Sequence, residues 1–322
     1  MDTNAGRPVM RAAMLEQGYT DGELHRARRQ GRLVSLRPGA YLSSDDDRLG
    51  DREARYAATV AAAAARLAGD DGVLSHASAA VLHGLPLWGV PLDRAHLTRG
   101  ETSGGRRSAH LHVHMAPLAQ DEITEVDGIR VTAPARTVVD LARTLPFTQA
   151  VSVADAALHA DLVDAGGLAD ALALGGRRRG GPAARRVLTF ADGRADGPGE
   201  SRSRVAMHRA GLTRPVLQHV IRDRAGRWVG QVDFWWPEAG VVGEFDGKIK
   251  YGRLLKPGQE PGEVVYAEKL REDAIRAQDG VRTVVRWTWS EIDRFGPVLE
   301  RLGDAIDPDA ARGSLRTARR MS

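Results

Sequence analysis

Between Gln231 and Asp246 the chain reads QVDFWWPEAGVVGEFD, two strand-like runs around a turn at Pro237 to Gly240. Side chains alternate across a strand, so a symmetric hairpin here sets Asp233 opposite Glu244 and Gln231 opposite Asp246. The same register sets Val232, Phe234 and Trp236 against Val241, Gly243 and Phe245. One face therefore belongs in a core and the other carries acids, which confines this segment to a sheet covered on one side. Opposed carboxylates with Cβ atoms about 5 Å apart repel. Asp233, Glu244 and Asp246 are thus candidate ligands for a hard divalent cation, Mg²⁺ or Mn²⁺, which takes oxygen donors and bridges to phosphate. The competing account is a polar strand face whose acids pair with arginines or lysines.

The chain has four lysines, Lys248, Lys250, Lys256 and Lys269, all in one window just after these acids. Elsewhere its basic residues are arginine. Lysine kept here points to a compact, titratable charge beside a reacting group. Lys248 shares a face with residues 244 and 246 if the strand continues past Gly247. There are no cysteines, which excludes disulfides, thiolate zinc sites, iron–sulfur clusters and a cysteine nucleophile. Lys and Arg number 46 against 42 Asp and Glu, a formal net charge of +4 that leaves polyanionic partners open. The start of the chain has no apolar signal core, and the Ala-rich run from Ala61 to Ala65 is stopped by Arg66. A cytoplasmic protein without a membrane partner is expected.

The 322 residues imply more than one domain. Residues 1–48 read as two helices and a hairpin. The second helix opens on a capping box, Thr20 to Glu23, and Gly31 ends it. The turn Arg37-Pro38-Gly39 then joins two strand-like runs. That outline is a winged helix-turn-helix, and its Arg26, Arg28, Arg29, Arg32 and Arg37 are candidate contacts to DNA phosphates. Pairing with the helix dipole is the alternative. Residues 49–190 read as a middle α/β domain, with helices over 52–67, 75–83, 133–144, 148–159 and 168–174. Strands are expected at 95–98 and 109–114, followed by a hairpin turning at Asp127-Gly128. The segment from Gly175 to Arg186 carries five arginines and no acids and reads as a solvated loop. Residues 199–306 give a helix, three strands, a helix and a strand, and 307–322 a basic disordered tail.

Glu200 on the leading helix, Asp233 in VDFWWPE, and Glu244 and Asp246 in GEFDGKIKYG resemble the PD-(D/E)xK nuclease core, in the very-short-patch-repair endonuclease-like branch. EKLRED from Glu268 and RWTW from Arg286 resemble it too. The resemblance implies a restriction-endonuclease-like α-βββ-α-β core cutting DNA with Mg²⁺ or Mn²⁺. Asp233 and Glu244 would be metal ligands, Glu200 a contributing acid, and Lys248 the stabiliser of the attacking water. The general pattern has lysine where Asp246 stands, and Lys248 is the substitute. A second resemblance is to the AbiEi-like winged-helix antitoxins of type IV toxin–antitoxin systems. It rests on GRLVSLRPGAY from Gly31, SHASAAVLHGLPL from Ser75 and TAPARTVVDLAR from Thr132. It implies DNA binding, autoregulation and a cognate toxin gene product as partner. The expected function is metal-dependent DNA cleavage; the alternative is a catalytically degenerate DNA-binding regulator or antitoxin.

Two other patterns carry chemistry. His110, His112 and His114 alternate along one strand and could bind zinc, but ligands two apart on one flat strand do not converge without a bend. A half-exposed strand face is the favoured account. Trp235, Trp236, Trp287 and Trp289 fall at strand spacing, as core or edge packing.

Overall fold

Thr20 sits in extended backbone, accepts the Glu23 N–H, and receives the Glu23 carboxylate on its own N–H at 2.8 Å, so the sequence-read capping box forms. It starts α2 (Asp21–Arg29), after the short α1 (Arg11–Glu16). The computed structural model describes residues 8–66, 72–100, 105–247 and 261–307. It has two compact units, Met1–Ala191 and Asp192–Ser322. The loop bearing Lys248, Lys250 and Lys256, and residues 308–322 of the basic tail, lie outside the described residues. No described helix is long and apolar enough to cross a membrane.

In the first unit, β2 (Leu33–Arg37) and β3 (Ala40–Ser43) form the expected hairpin, and β1 (Val9–Met10) adds to it in the order β1-β3-β2. An Ala-rich helix, α3 (Arg52–Arg66), leads into a mixed six-stranded sheet. Its strands are β4 (Val73–Leu74), β5 (Ala95–Arg99), β6 (Arg106–Arg107), β7 (Leu111–Met115), β8 (Ile123–Val126) and β9 (Ile129–Thr132), ordered β6-β7-β5-β4-β9-β8. The β8–β9 turn has Asp127 at φ 51° and Gly128 at φ 76°, the double left-handed pair that an Asp-Gly hairpin favours. The helices are α4 (His76–Leu82), α5 (Pro134–Thr144), α6 (Phe147–His159), α7 (Ala165–Leu174) and α8 (Gly181–Phe190). The last corrects the expected arginine loop: Arg185 and Arg186 lie on α8, because Gly180 and Pro182 start a helix whose Ala184 and Val187 are buried.

The second unit runs α9 (Pro198–Arg209), β10 (Val216–Arg222), β11 (Trp228–Trp236), β12 (Val241–Asp246), α10 (Pro261–Arg276) and β13 (Thr283–Thr288). The four-stranded sheet has the order β10-β11-β12-β13, the last pair parallel. This is the helix, three strands, helix, strand order read from the sequence, within a mixed α/β chain of several domains. Two helices follow that the sequence did not announce, α11 (Trp289–Ile292) and α12 (Gly296–Ile306). They close the core with Phe295, Val298 and Leu302 against Phe234, Trp236 and Trp287.

The β11–β12 register follows the symmetric hairpin from Phe234 opposite Gly243 to Trp236 opposite Val241, but the ladder does not extend to the expected pairs Asp233–Glu244 and Gln231–Asp246. The expected single apolar face does not run its full length. Val232 packs with Ile221, Val242 and Ile275, apart from the Phe234–Trp236 core. The strand loses its alternation at Asp233, whose carboxylate takes the Phe245 N–H at 2.8 Å. On the neighbouring strand Gln218 has a φ of 49°, outside regular strand geometry. Gly243 is required where it stands: a Cβ there would come within 2.9 Å of the Trp287 ring and 3.1 Å of the Trp236 ring.

Candidate functional site

Glu200, in the first turn of α9, is 5% exposed. It accepts the Asp196 N–H at 2.9 Å and the Gln218 Nε2 at 2.9 Å. Gln218 also reaches Asp233 at 3.4 Å, so one amide bridges the two acids. Burial, reinforced by the negative charge of Asp233, pushes the Glu200 carboxyl up to about 8. Burial likewise pushes Asp233 up to about 6, with Glu244 adding to it and the Phe245 N–H opposing it. Two acids from different elements, Glu200 on α9 and Asp233 on β11, thus meet through Gln218, beside the irregular strand pairing.

Glu244 on β12 is 7% exposed and is held by two guanidiniums. Arg271 from α10 meets it at 2.9 Å, and Arg286 from β13 pairs with its other oxygen. Arg286 is register partner to Glu244 across the parallel pair, and it also meets Glu272 at 3.0 Å. Arg271 binds the Gln231 carbonyl oxygen as well. Asp246 is half-buried at the end of β12, paired in register with Thr288. Lys248 is outside the described residues, and Lys269 is exposed on α10. The structure therefore joins Glu200 to Asp233 and gives Glu244 to arginines. Sequence reasoning missed Gln218, Arg271 and Arg286. The last is signalled by RWTW, where Arg286 alternates with core Trp287.

This arrangement tests the divalent-cation expectation. Oxygen donors are the right chemistry, but as folded one acid is neutralised by two arginines and two others share a bridging amide. Among the described residues, the one group of three acidic or imidazole side chains with ligand atoms mutually within 4.8 Å is not here. The carboxylates as placed do not form a Mg²⁺ cage.

In the N-terminal hairpin unit, Arg26, Arg28, Arg29 and Arg32 are exposed and Arg37 is half-buried. The helix's two acids are otherwise engaged: Asp21 pairs with Arg11 at 2.6 Å and Glu23 closes the cap. Arg28 lies over the Tyr41 ring at 5.6 Å. The Arg37 Nε is buried without a hydrogen-bond partner, and burial and Arg66 lower its pKa. Arg37 is thus placed differently from the other four.

The middle domain's two motifs form internal polar networks. From TAPARTVVDLAR, Arg136 meets Asp140 at 2.7 Å and Glu122 at 2.9 Å, all three buried. Thr132 meets Thr137 at 2.7 Å. From SHASAAVLHGLPL, the His83 Nε2 lies 2.8 Å from the Thr132 carbonyl, which links the two motifs. The Ser78 hydroxyl accepts the His96 N–H and contacts the Tyr56 hydroxyl.

A family model described as the AbiEi antitoxin C-terminal domain matches residues 57–190, which span both motifs. Uncharacterized protein MT2308 of Mycobacterium tuberculosis (strain CDC 1551 / Oshkosh) is 31% identical over 219 residues, covering 68% of this chain and 75% of the relative. Uncharacterized protein Rv2248 of strain ATCC 25618 / H37Rv matches with the same figures. The crystal structure of the RV2827C protein from Mycobacterium tuberculosis overlays with a TM-score of 0.37 at 16% identity, over 68% of this chain and 84% of that one. The chain belongs to the family of these two uncharacterized mycobacterial relatives, and its middle domain is matched by the AbiEi antitoxin C-terminal domain.

Proposed function

We propose that the chain is a DNA-binding regulator of the antitoxin type, with its winged-helix-like N-terminal unit as the DNA reader and a cognate toxin gene product as partner. The observation that carries this reading is the AbiEi antitoxin C-terminal domain match at 57–190, following a capped helix and hairpin that expose four arginines. An exposed basic helix with a flanking hairpin supplies phosphate contacts and a body for the major groove. The buried networks of the middle domain favour a rigid scaffold over a reaction centre there. A gel shift with duplex DNA from upstream of the gene tests the reading. The full chain retards it and a chain lacking residues 1–48 does not; equal retardation by both would remove the N-terminal unit from the function.

A second reading, Mg²⁺- or Mn²⁺-dependent DNA cleavage by the 199–306 domain, is favoured by one observation. The buried Glu200–Asp233 pair, with raised carboxyl pKa values, is a strained charge arrangement of the kind functional sites hold. For Glu244 to serve as a ligand, Arg271 and Arg286 would have to release it. Supercoiled plasmid incubated with the full chain and either ion, beside EDTA and an Asp233→Ala variant, tests it. Nicking lost in both controls establishes an enzyme, and intact plasmid throughout leaves the regulator.

A further inference from the structure

Four histidines of the middle domain meet where β5, β7 and the start of α4 come together. His96 on β5 is the register partner of His112 on the parallel β7, and Thr98 is that of His114. His76 comes in from α4. The ligand atoms of His76, His96 and His114 all lie within 4.8 Å of one another. His96 Nδ1 is 3.0 Å from His114 Nε2. The His76 ring stacks on His114 at 3.6 Å, and His112 lies 3.9 Å from His114. The difficulty of drawing three ligands from one flat strand does not arise, because only His112 and His114 share a strand. His110 is exposed and outside the group.

We propose that this cluster binds a divalent transition metal, Zn²⁺ foremost, through His76, His96 and His114, with His112 beside the fourth position. Tetrahedral zinc with bonds near 2.1 Å separates its nitrogens by about 3.4 Å, so the 3.0 Å edge is nearly formed and modest side-chain rotation completes the triangle. Three further observations point to a ligand. His112 Nδ1 is buried with no hydrogen-bond partner, a costly state for a polar atom unless something occupies it. His76 is 7% exposed and holds a φ of 51°, a left-handed backbone that a side chain with a Cβ adopts at a cost. Its Nδ1 lies 3.0 Å from the Ser75 hydroxyl, which in turn receives the Thr98 hydroxyl, so the ring is fixed from outside as zinc-bound imidazoles are.

The metal would tie the start of α4 to two strands of the sheet. The test uses the full-length, tag-free chain, stripped with EDTA, dialysed and titrated with Zn²⁺ against a chromophoric chelator. The wild type takes up one tight equivalent, and Co²⁺ in its place gives tetrahedral absorption bands. His96→Asn and His114→Asn each weaken binding by about 100-fold or more, whereas His110→Asn and Asp233→Asn leave it unchanged. Wild-type protein that holds no tight equivalent overturns the proposal without recourse to any variant. Loss of binding in Asp233→Asn, with binding retained in both strand-histidine variants, would also overturn it by moving the ion to the C-terminal acids.

Discussion

At Arg136 a positive charge is held at 2% exposure because Glu122 and Asp140 flank it. Arg136→Met removes the ion-pair partner of two buried carboxylates and leaves them only the weaker fields of Arg143 and Arg178, so a loss of about 3 kcal/mol is expected in urea unfolding. A loss under about 1 kcal/mol would mean that the acids find other partners. Glu200 gives the opposite sign. Its carboxyl rises from 4.5 to about 8 on folding, so between those values the native state binds more protons than the unfolded one. Stability of the second unit therefore falls as pH rises through this window. Glu200→Gln keeps the acceptor for Asp196 and Gln218 while removing the titration. The variant is expected to match the wild type near pH 4 and to unfold at a higher temperature than it near pH 8. A parallel pH dependence in both proteins refutes the assignment. Asp233 and Glu244 could be read from the sequence as candidate acids, but not as an opposed pair: the register ends at Phe234 opposite Gly243, and Asp233 instead takes the Phe245 N–H. Their partners could not: Arg271 and Arg286 arrive through a helix and a parallel strand whose placement no local pattern encodes. The histidine group was hidden in the same way, since His76 and His96 join it only through the fold.

Elements with a strong local code were legible: the Thr20 cap, the Asp127-Gly128 turn, the β11–β12 register beside its turn and the helix at Pro134. Elements fixed by tertiary pairing were not. The two-residue β4 lies between β5 and β9 and has no room for a period. Helix α12 earns its place through Val298 and Leu302 in the core. The close packing of α9 on the sheet has a readable cause in Gly199, where an added Cβ would lie 2.0 Å from the Phe245 ring. Phe245 stands edge-on to Trp289 at 4.9 Å and has little freedom to yield. Gly199→Ala is expected to cost about 1–3 kcal/mol through overpacking, and to disturb the adjacent Glu200 with it. Unfolding of that variant at the wild-type denaturant midpoint would show that the helix can shift away at no cost.

For the whole molecule, a net charge of +4 says little about where DNA would bind, but the distribution of charge does. Residues 24–44 carry five arginines and no acid. In the folded chain four of the five are exposed and Arg37 is half-buried. If phosphate contacts come from this surface, affinity falls with salt by a log–log slope of about −0.9 for each phosphate neutralised on duplex DNA. Replacing Arg28, Arg29 and Arg32 together by alanine should make that slope shallower by up to about 2.7. Arg37→Ala should change it far less, because a partly buried guanidinium releases few counterions. The Glu200, Asp233 and Glu244 cluster lies in the other unit, so Asp233→Asn should leave the slope untouched. Fluorescence anisotropy on one labelled duplex across a salt series measures all four proteins. A triple variant with the wild-type slope would place the phosphate contacts elsewhere, on the exposed Arg185 and Arg186 of α8 or on residues outside those described here.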